Sequence, residues 1–178
     1  MKKIRMGIPF LPKNAAGNYL AIIFWALVPV LAFQPVFGAE QHNIIVMGGW
    51  TNPIHSANLA SGAGSNLVNT YQSDAGATTL SIVGGKKDAV WQVYINRSEM
   101  NWPSNFMLYV RRTGPGDGTE GVTVKGGLSF QVVNSAKTLL CSGTGNVRCI
   151  PIQYQLSGVS LATAPNNYVS GIVYTVIP

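Results

Sequence analysis

The stretch WQVYIN at residues 91–96 decides the fold class, and FMLYVR at residues 106–111 repeats its pattern. In the first stretch Trp91, Val93 and Ile95 alternate with polar or aromatic residues, and in the second large apolar residues again occupy every other position. A period of two is typical of a β-strand with one buried face. Both stretches therefore predict strands of a half-buried sheet.

The same alternation continues through the rest of the chain. Residues 149–156 and 168–177 predict two long strands, and the second has the sequence YVSGIVYTVI. Shorter strands are predicted at residues 44–47, 67–71, 78–83, 122–124, 128–132 and 138–141. Seven to nine strands with a turn about every ten residues, and without intervening helical periodicity, are typical of antiparallel sandwiches. The sequence predicts an all-β, immunoglobulin-like Greek-key sandwich; a closed barrel is the alternative.

The N-terminal segment has the features of a secretory signal peptide. Lys2, Lys3 and Arg5 form a basic head, and residues 21–33 (AIIFWALVPVLAF) are an uninterrupted apolar run. This run is shorter than the roughly 20 residues that a membrane-spanning helix needs. We therefore expect residues 1–38 to be removed by cleavage after Gly38 or Ala39, with an uncleaved anchor helix as the alternative. Residues 39–178 then form a single domain, in which residues 39–75 could be a loosely packed extension.

Cleavage would change the charge balance. Four of the twelve Lys and Arg residues precede residue 38, whereas all six acidic residues follow it, which leaves eight cations against six anions. A net charge of about +2 does not provide the basic patch of a nucleic-acid-binding protein. We expect a secreted, periplasmic or cell-surface protein that binds no nucleic acid and has no stable membrane span after cleavage.

The two cysteines, Cys141 and Cys149, flank the turn sequence SGTGN at residues 142–146. In an oxidising compartment this spacing predicts one disulfide across a hairpin. Two free buried thiols are the alternative.

No set of residues predicts catalysis, a cofactor or a metal site. His42 and His55 have no serine elbow or orienting acid in the sequence around them, and Glu99 has no partner carboxylate. Asp117 and Glu120 supply too few oxygens for calcium. We therefore expect a protein that is not an enzyme.

Exposed aromatic residues predict a different kind of site. Trp50, Trp102 and Tyr109 fall on loops or on the face opposite the predicted core, where flat rings can stack on a sugar or anchor a protein partner. The alternative is that a two-sheet core absorbs Trp91 and Trp102 and that Tyr94 and Tyr109 cover a cross-strand pair.

Residues 78–178 resemble bacterial pilin-type sandwiches, particularly the spore coat protein U family. The shared features are the signal peptide, a Gly/Thr/Asn-rich β-chain, cysteines late in the domain and the strand at residues 168–177 close to the end of the chain. In chaperone–usher pilins, by contrast, the cysteines lie early. The resemblance implies subunits that assemble by β-strand addition, in which an N-terminal segment completes a neighbour's sheet.

The best candidate for such a donor strand is the segment Ile44, Ile45, Val46 and Met47; its alternative role is the first strand of its own domain. The sequence thus predicts a structural or adhesive surface protein that associates with itself or with another exported protein. The competing prediction is a monomeric module that binds a carbohydrate or another ligand.

Overall fold

The computed structural model describes residues 42–118 and 121–178, without the side chains of residues 99 and 100. Within these ranges the chain forms eleven β-strands, one 3-10 turn at Ser56–Asn58 and no α-helix. In chain order, the strands are β1 (Asn43–Gly48), β2 (Tyr71–Gln72), β3 (Thr78–Val83), β4 (Val90–Asn101), β5 (Met107–Arg112), β6 (Asp117–Gly118), β7 (Thr123–Lys125), β8 (Gln131–Val132), β9 (Thr138–Thr144), β10 (Val147–Ser157) and β11 (Val169–Ile177). The signal peptide predicted for residues 1–38 lies outside the described residues.

The strands form two antiparallel sheets. The seven-stranded sheet has the order β1-β3-β10-β5-β8, with β2 and β6 also paired to β10, and the four-stranded sheet has the order β11-β4-β9-β7. The long strand β10 pairs with two strands along each of its edges. These are β3 and then β2 on one edge, and β6 and then β5 on the other.

This order confirms the predicted Greek-key sandwich. An immunoglobulin-type domain places strands A, B, E and D in one sheet and C, F and G in the other. The strands β1, β3, β10 and β5 occupy the A, B, E and D positions, and β4 and β11 occupy C and F. Eight strands have three or more residues, within the predicted seven to nine; β2, β6 and β8 add two residues each.

The core lies between the two sheets, on the faces that the alternation predicts. Trp91, Val93 and Ile95 of β4 are fully buried, and they face Leu80 and Ile82 of β3, which are also fully buried. The other core residues include Val110, Leu140, Val147, Ile150, Ile152 and Tyr154. The indole N–H of Trp91 donates a 2.7 Å hydrogen bond to a backbone carbonyl, so the largest core residue leaves no polar atom unpaired.

The segment after β7 departs from the prediction of one strand over residues 128–132. The guanidinium of Arg112 is buried at the end of β5 and donates to three backbone carbonyls, those of Gly126, Gly114 (3.2 Å) and Val124 (3.1 Å). The chain curves around this buried cation instead of extending, because a buried charge requires hydrogen-bond partners. Only β8 remains of the predicted strand.

The disulfide predicted between Cys141 and Cys149 is wrong, because both cysteines are free thiols. Cys141 is buried in β9 of the four-stranded sheet, whereas Cys149 is exposed on β10 of the seven-stranded sheet. The turn between these strands carries the chain from one sheet to the other, with Gly145 at φ 69°. A disulfide needs Cβ atoms about 3.5–4.5 Å apart, and one side chain directed into the core and one directed into solvent do not meet this requirement.

Candidate assembly edge

The strand β11 is an edge strand of the four-stranded sheet. Its residues Ser170 to Ile177 pair in continuous register with β4, and a bulge separates this register from Val169. No strand in the described ranges pairs with its other edge. In an antiparallel ladder, alternate residues direct their N–H and C=O groups away from the partner strand. One row of backbone donors and acceptors on β11 is therefore available to another strand.

Apolar side chains occupy both faces of β11. Ile172, Tyr174 and Val176 point towards the core but are only partly buried, unlike the fully buried residues of the adjacent β4. On the opposite face Val169, Val173 and Ile177 are 51%, 43% and 41% exposed. A neighbouring strand in the G position would reduce the exposure of both sets.

Natural edge strands are commonly protected by charged residues, by proline or by bulges. Residues 169–177 include no charged residue and no proline, and the only irregularity is the bulge at Val169. The edge of β11 therefore carries little protection against pairing with another strand.

A buried hydroxyl network fixes β11 to the opposite sheet. The hydroxyl of Tyr154 on β10 donates to the Oγ1 of Thr78 at 2.7 Å, which leaves it free to accept from the hydroxyl of Tyr174 at 3.0 Å. Burial, and then the neighbouring Tyr154, raises the pKa of Tyr174. This network holds the core-facing side of β11 in place, so its open edge is a fixed template.

The strand β1 lies next to β11 at the corresponding edge of the seven-stranded sheet. It pairs with β3 from Asn43 to Gly48, and Ile44 packs on the core. We call the side of the sandwich bounded by β1 and β11 the open side. Two edge strands meet there, each belonging to a different sheet.

The candidate donor segment Ile44, Ile45, Val46 and Met47 therefore forms the first strand of its own domain. His42, just before β1, is buried against Gly85 of the turn after β3, and neither ring nitrogen has a hydrogen-bond partner in the described residues. These contacts anchor the start of β1 in this chain. A donor role for the segment would require β1 to leave β3.

The three candidate ligand-contact aromatics do not form one platform. Trp50 stacks on Tyr154, with ring centroids 6.5 Å apart. Trp102 packs edge-on against Phe106 at 5.5 Å and donates its indole N–H to the carbonyl of that residue at 3.0 Å. Tyr109 lies on the outward face of β5, where its hydroxyl is 3.6 Å from the sulfur of Met107. Trp50 and Trp102 thus pack against core residues.

The described residues offer little else that resembles a site for a small ligand. Two surface depressions, of about 380 and 240 Å³, have no aromatic side chain among their described lining residues. Within the described ranges, no cluster of three or more His, Cys, Asp or Glu side chains could hold a metal ion. The described residues also include no helix long and apolar enough to cross a membrane.

Sequence reasoning identified the strand at residues 168–177 but did not recognise its edge as the candidate site. One signal was available: a long strand with apolar residues on both faces and no charge is typical of a position between two other strands. The Tyr154–Tyr174 contact had no such signal, because it joins strands of different sheets.

No family model matches the chain, and no significant match was found among curated proteins or among solved structures. The functional assignment therefore depends on the fold and on the geometry of the open side.

Proposed function

We propose that the protein is an exported structural or adhesive component, similar to pilin-type subunits, which assembles by addition of a β-strand to the free edge of β11. The observation that carries the proposal is the empty G position. The strand β11 occupies the F position of an immunoglobulin-type sandwich, and no described strand pairs with it on the side away from β4.

The physical reason is that an added strand would satisfy both the backbone and the side chains of β11. Its N–H and C=O groups would pair with the free row of β11, which supplies affinity. Its side chains would cover the partly buried residues on the core side, such as Ile172, and the exposed residues on the other side, such as Val173. Burial of apolar surface contributes roughly 25 cal/mol per Å², so both faces would favour association.

The N-terminal sequence supports export. The basic residues Lys2, Lys3 and Arg5 precede the apolar run at residues 21–33, and small residues follow at the predicted cleavage region. Export would place the sandwich where structural and adhesive proteins of the cell surface act.

The test uses the full-length precursor, expressed in a bacterium and recovered after export. Mass spectrometry should show a mature N-terminus at Ala39 or Glu40. Size-exclusion chromatography with light scattering over a dilution series should show a mass above that of the monomer, increasing with concentration. The substitution Val173→Lys should reduce this mass, because it places a charge on the exposed side of β11 without disturbing the core.

The matched control is Val132→Lys. Val132 lies on the edge strand β8 of the other sheet and is 40% exposed, similar to Val173 at 43%, so it tests the effect of an added charge alone. It should leave the mass unchanged. A wild-type protein that stays monomeric at every concentration would contradict assembly and would favour a self-contained ligand-binding module. A precursor that is retained uncleaved would contradict export.

A further inference from the structure

The exposed apolar residues of β11, namely Val169, Val173 and Ile177, are spaced symmetrically about the middle of the strand. The strand has nine residues, and Val173 is the middle one. When two copies run antiparallel with Val173 opposite its own equivalent, all nine residues of each strand have a partner. The exposed Val169 then faces Ile177 of the second copy.

The core-facing side of the strand is complementary in the same arrangement. With Val173 at the centre, Ile172 of one copy lies opposite Tyr174 of the other, and the reverse contact forms by symmetry. Both residues are only partly buried in the single chain. Residues directly opposite each other in an antiparallel pair have Cβ atoms about 4.5–5.5 Å apart, within contact distance for side chains of this size.

We propose that the strand added at β11 is β11 of a second copy, centred on Val173, so that the two four-stranded sheets join into one continuous sheet of eight strands. The contact is isologous, with a two-fold axis at Val173, and it closes after two copies. This inference rests on the proposed function, because it names the strand that fills the edge of β11.

Other free edges in the described part of the chain fit less well. The strand β8 has two residues, and β7 has three residues that end at Lys125. The strand β1 is apolar, but its six residues would leave one third of β11 without a partner. Among the described edge strands, β11 alone offers nine residues with exposed apolar side chains at both ends and at the centre.

The position of β1 supports a closed pair over an open chain. The edges of β1 and β11 lie side by side on the open side of the sandwich. When a molecule binds a partner through this side, the edges of both β1 and β11 face that partner. No further copy can then add to the same side. The expected species is a dimer.

Cysteine cross-linking of the exported protein tests the register. All variants carry Cys149→Ser, because Cys149 is the exposed natural thiol, whereas Cys141 is buried. In this background Val173→Cys should form a disulfide-linked dimer on mild oxidation, since each residue 173 faces its own equivalent. Val169→Cys should not cross-link to itself, because the two copies of residue 169 would be about 27 Å apart, or eight residues of extended strand.

A mixed sample is the second arm of the test. Val169→Cys and Ile177→Cys should each remain uncross-linked alone, and an equimolar mixture should give a dimer that contains one copy of each. Circular dichroism of every variant should match that of the parent, since the substituted side chains are exposed. Cross-linking of Val173→Cys together with the mixed dimer supports the proposed register.

Three outcomes overturn the inference, and they can be distinguished. If Val173→Cys does not cross-link while Val173→Lys still prevents assembly, another strand fills the edge and only strand addition remains. If a mixture of Met47→Cys and Val173→Cys cross-links instead, the added strand is β1 of the neighbour. If no variant cross-links and the parent protein is a monomer, the inference and the proposed function both fail.

Discussion

The reactivity of the two cysteines tests whether Cys141 and Cys149 lie in different sheets as free thiols. Cys149 is exposed on β10 and Cys141 is buried in β9, and the two do not form a disulfide. We expect the exported, folded protein to retain two thiols even after passage through an oxidising compartment. One of them should react quickly with an alkylating reagent, and the other only after unfolding.

The difference in reactivity follows from burial. Desolvation raises the pKa of Cys141 to about 11, although Arg112 nearby opposes part of the increase. At pH 8 a thiol of pKa about 11 is about 0.1% thiolate. An ordinary thiol with a pKa of about 8.5 is about 20% thiolate at the same pH, a difference of about 200-fold. Because the thiolate is the nucleophile, this smaller thiolate fraction should slow the alkylation of Cys141, and steric burial should slow it further.

The assay is alkylation with iodoacetamide at pH 8, followed by intact-mass and peptide mass spectrometry. The folded protein should gain one adduct, on Cys149, and two adducts in guanidinium chloride. The control variant Cys149→Ser should gain none while folded. Its free energy of unfolding should change by no more than about 0.5 kcal/mol, as is typical of exposed positions.

A disulfide would be present, contrary to this prediction, if the exported protein gained no adduct in guanidinium chloride and its mass were lower by two hydrogens. A loss of about 2–3 kcal/mol in Cys149→Ser would point the same way, since this is the stabilisation expected from a disulfide that closes so short a loop. Either result would mean that the two sulfur atoms lie within bonding distance in the folded protein.

Three further predictions concern stability. Leu80→Ala should lower the free energy of unfolding by about 2–5 kcal/mol, because Leu80 is fully buried. Urea denaturation followed by tryptophan fluorescence measures this change. The control Leu161→Ala, at an exposed site, should change the free energy of unfolding by no more than about 0.5 kcal/mol. Tyr174→Phe should cost about 0.5–1.5 kcal/mol through its lost hydroxyl contact. Because burial raises the pKa of Tyr174, the free energy of unfolding should fall as the pH rises above about 10, where the phenol ionises in the unfolded chain but not in the folded one. In thermal melts, Tyr174→Phe should make this fall less steep. An equally steep fall in the variant would exclude Tyr174 as its source. Gly158→Ala should lower the melting temperature, since the residue has φ 86° and an added Cβ would overlap a backbone carbonyl oxygen, whereas Gly49→Ala, with open space around it, should not.

Local alternation predicted most of the strands and most of the core. The side-chain period of a strand is two, so the buried faces of β4 and β10 can be read directly from residues such as Trp91, Ile95 and Ile152. The failure at residues 128–132 has a nonlocal cause. The buried guanidinium of Arg112 binds the carbonyl groups of Val124 and Gly126, just before this segment, where the chain turns.

The two cysteines show the limit of local reasoning most clearly. A Gly-rich turn such as residues 142–146 can close a hairpin or carry the chain to another sheet, and its sequence does not distinguish them. The choice depends on which strands lie beside β9 and β10, namely β4 and β7 for one and β3 and β5 for the other. These partners come from distant parts of the chain.

The all-β sandwich follows from the sequence alone, because the period of the apolar residues is a local property of the chain. The same pattern predicts a strand at residues 168–177 with apolar side chains on both faces. Tertiary packing places this strand at an edge of the described sheets, pairs β1 with β3 of the same chain and puts the cysteines in different sheets. Those features depend on pairing between distant segments, where the free energy of packing selects one of several arrangements that the local pattern allows equally.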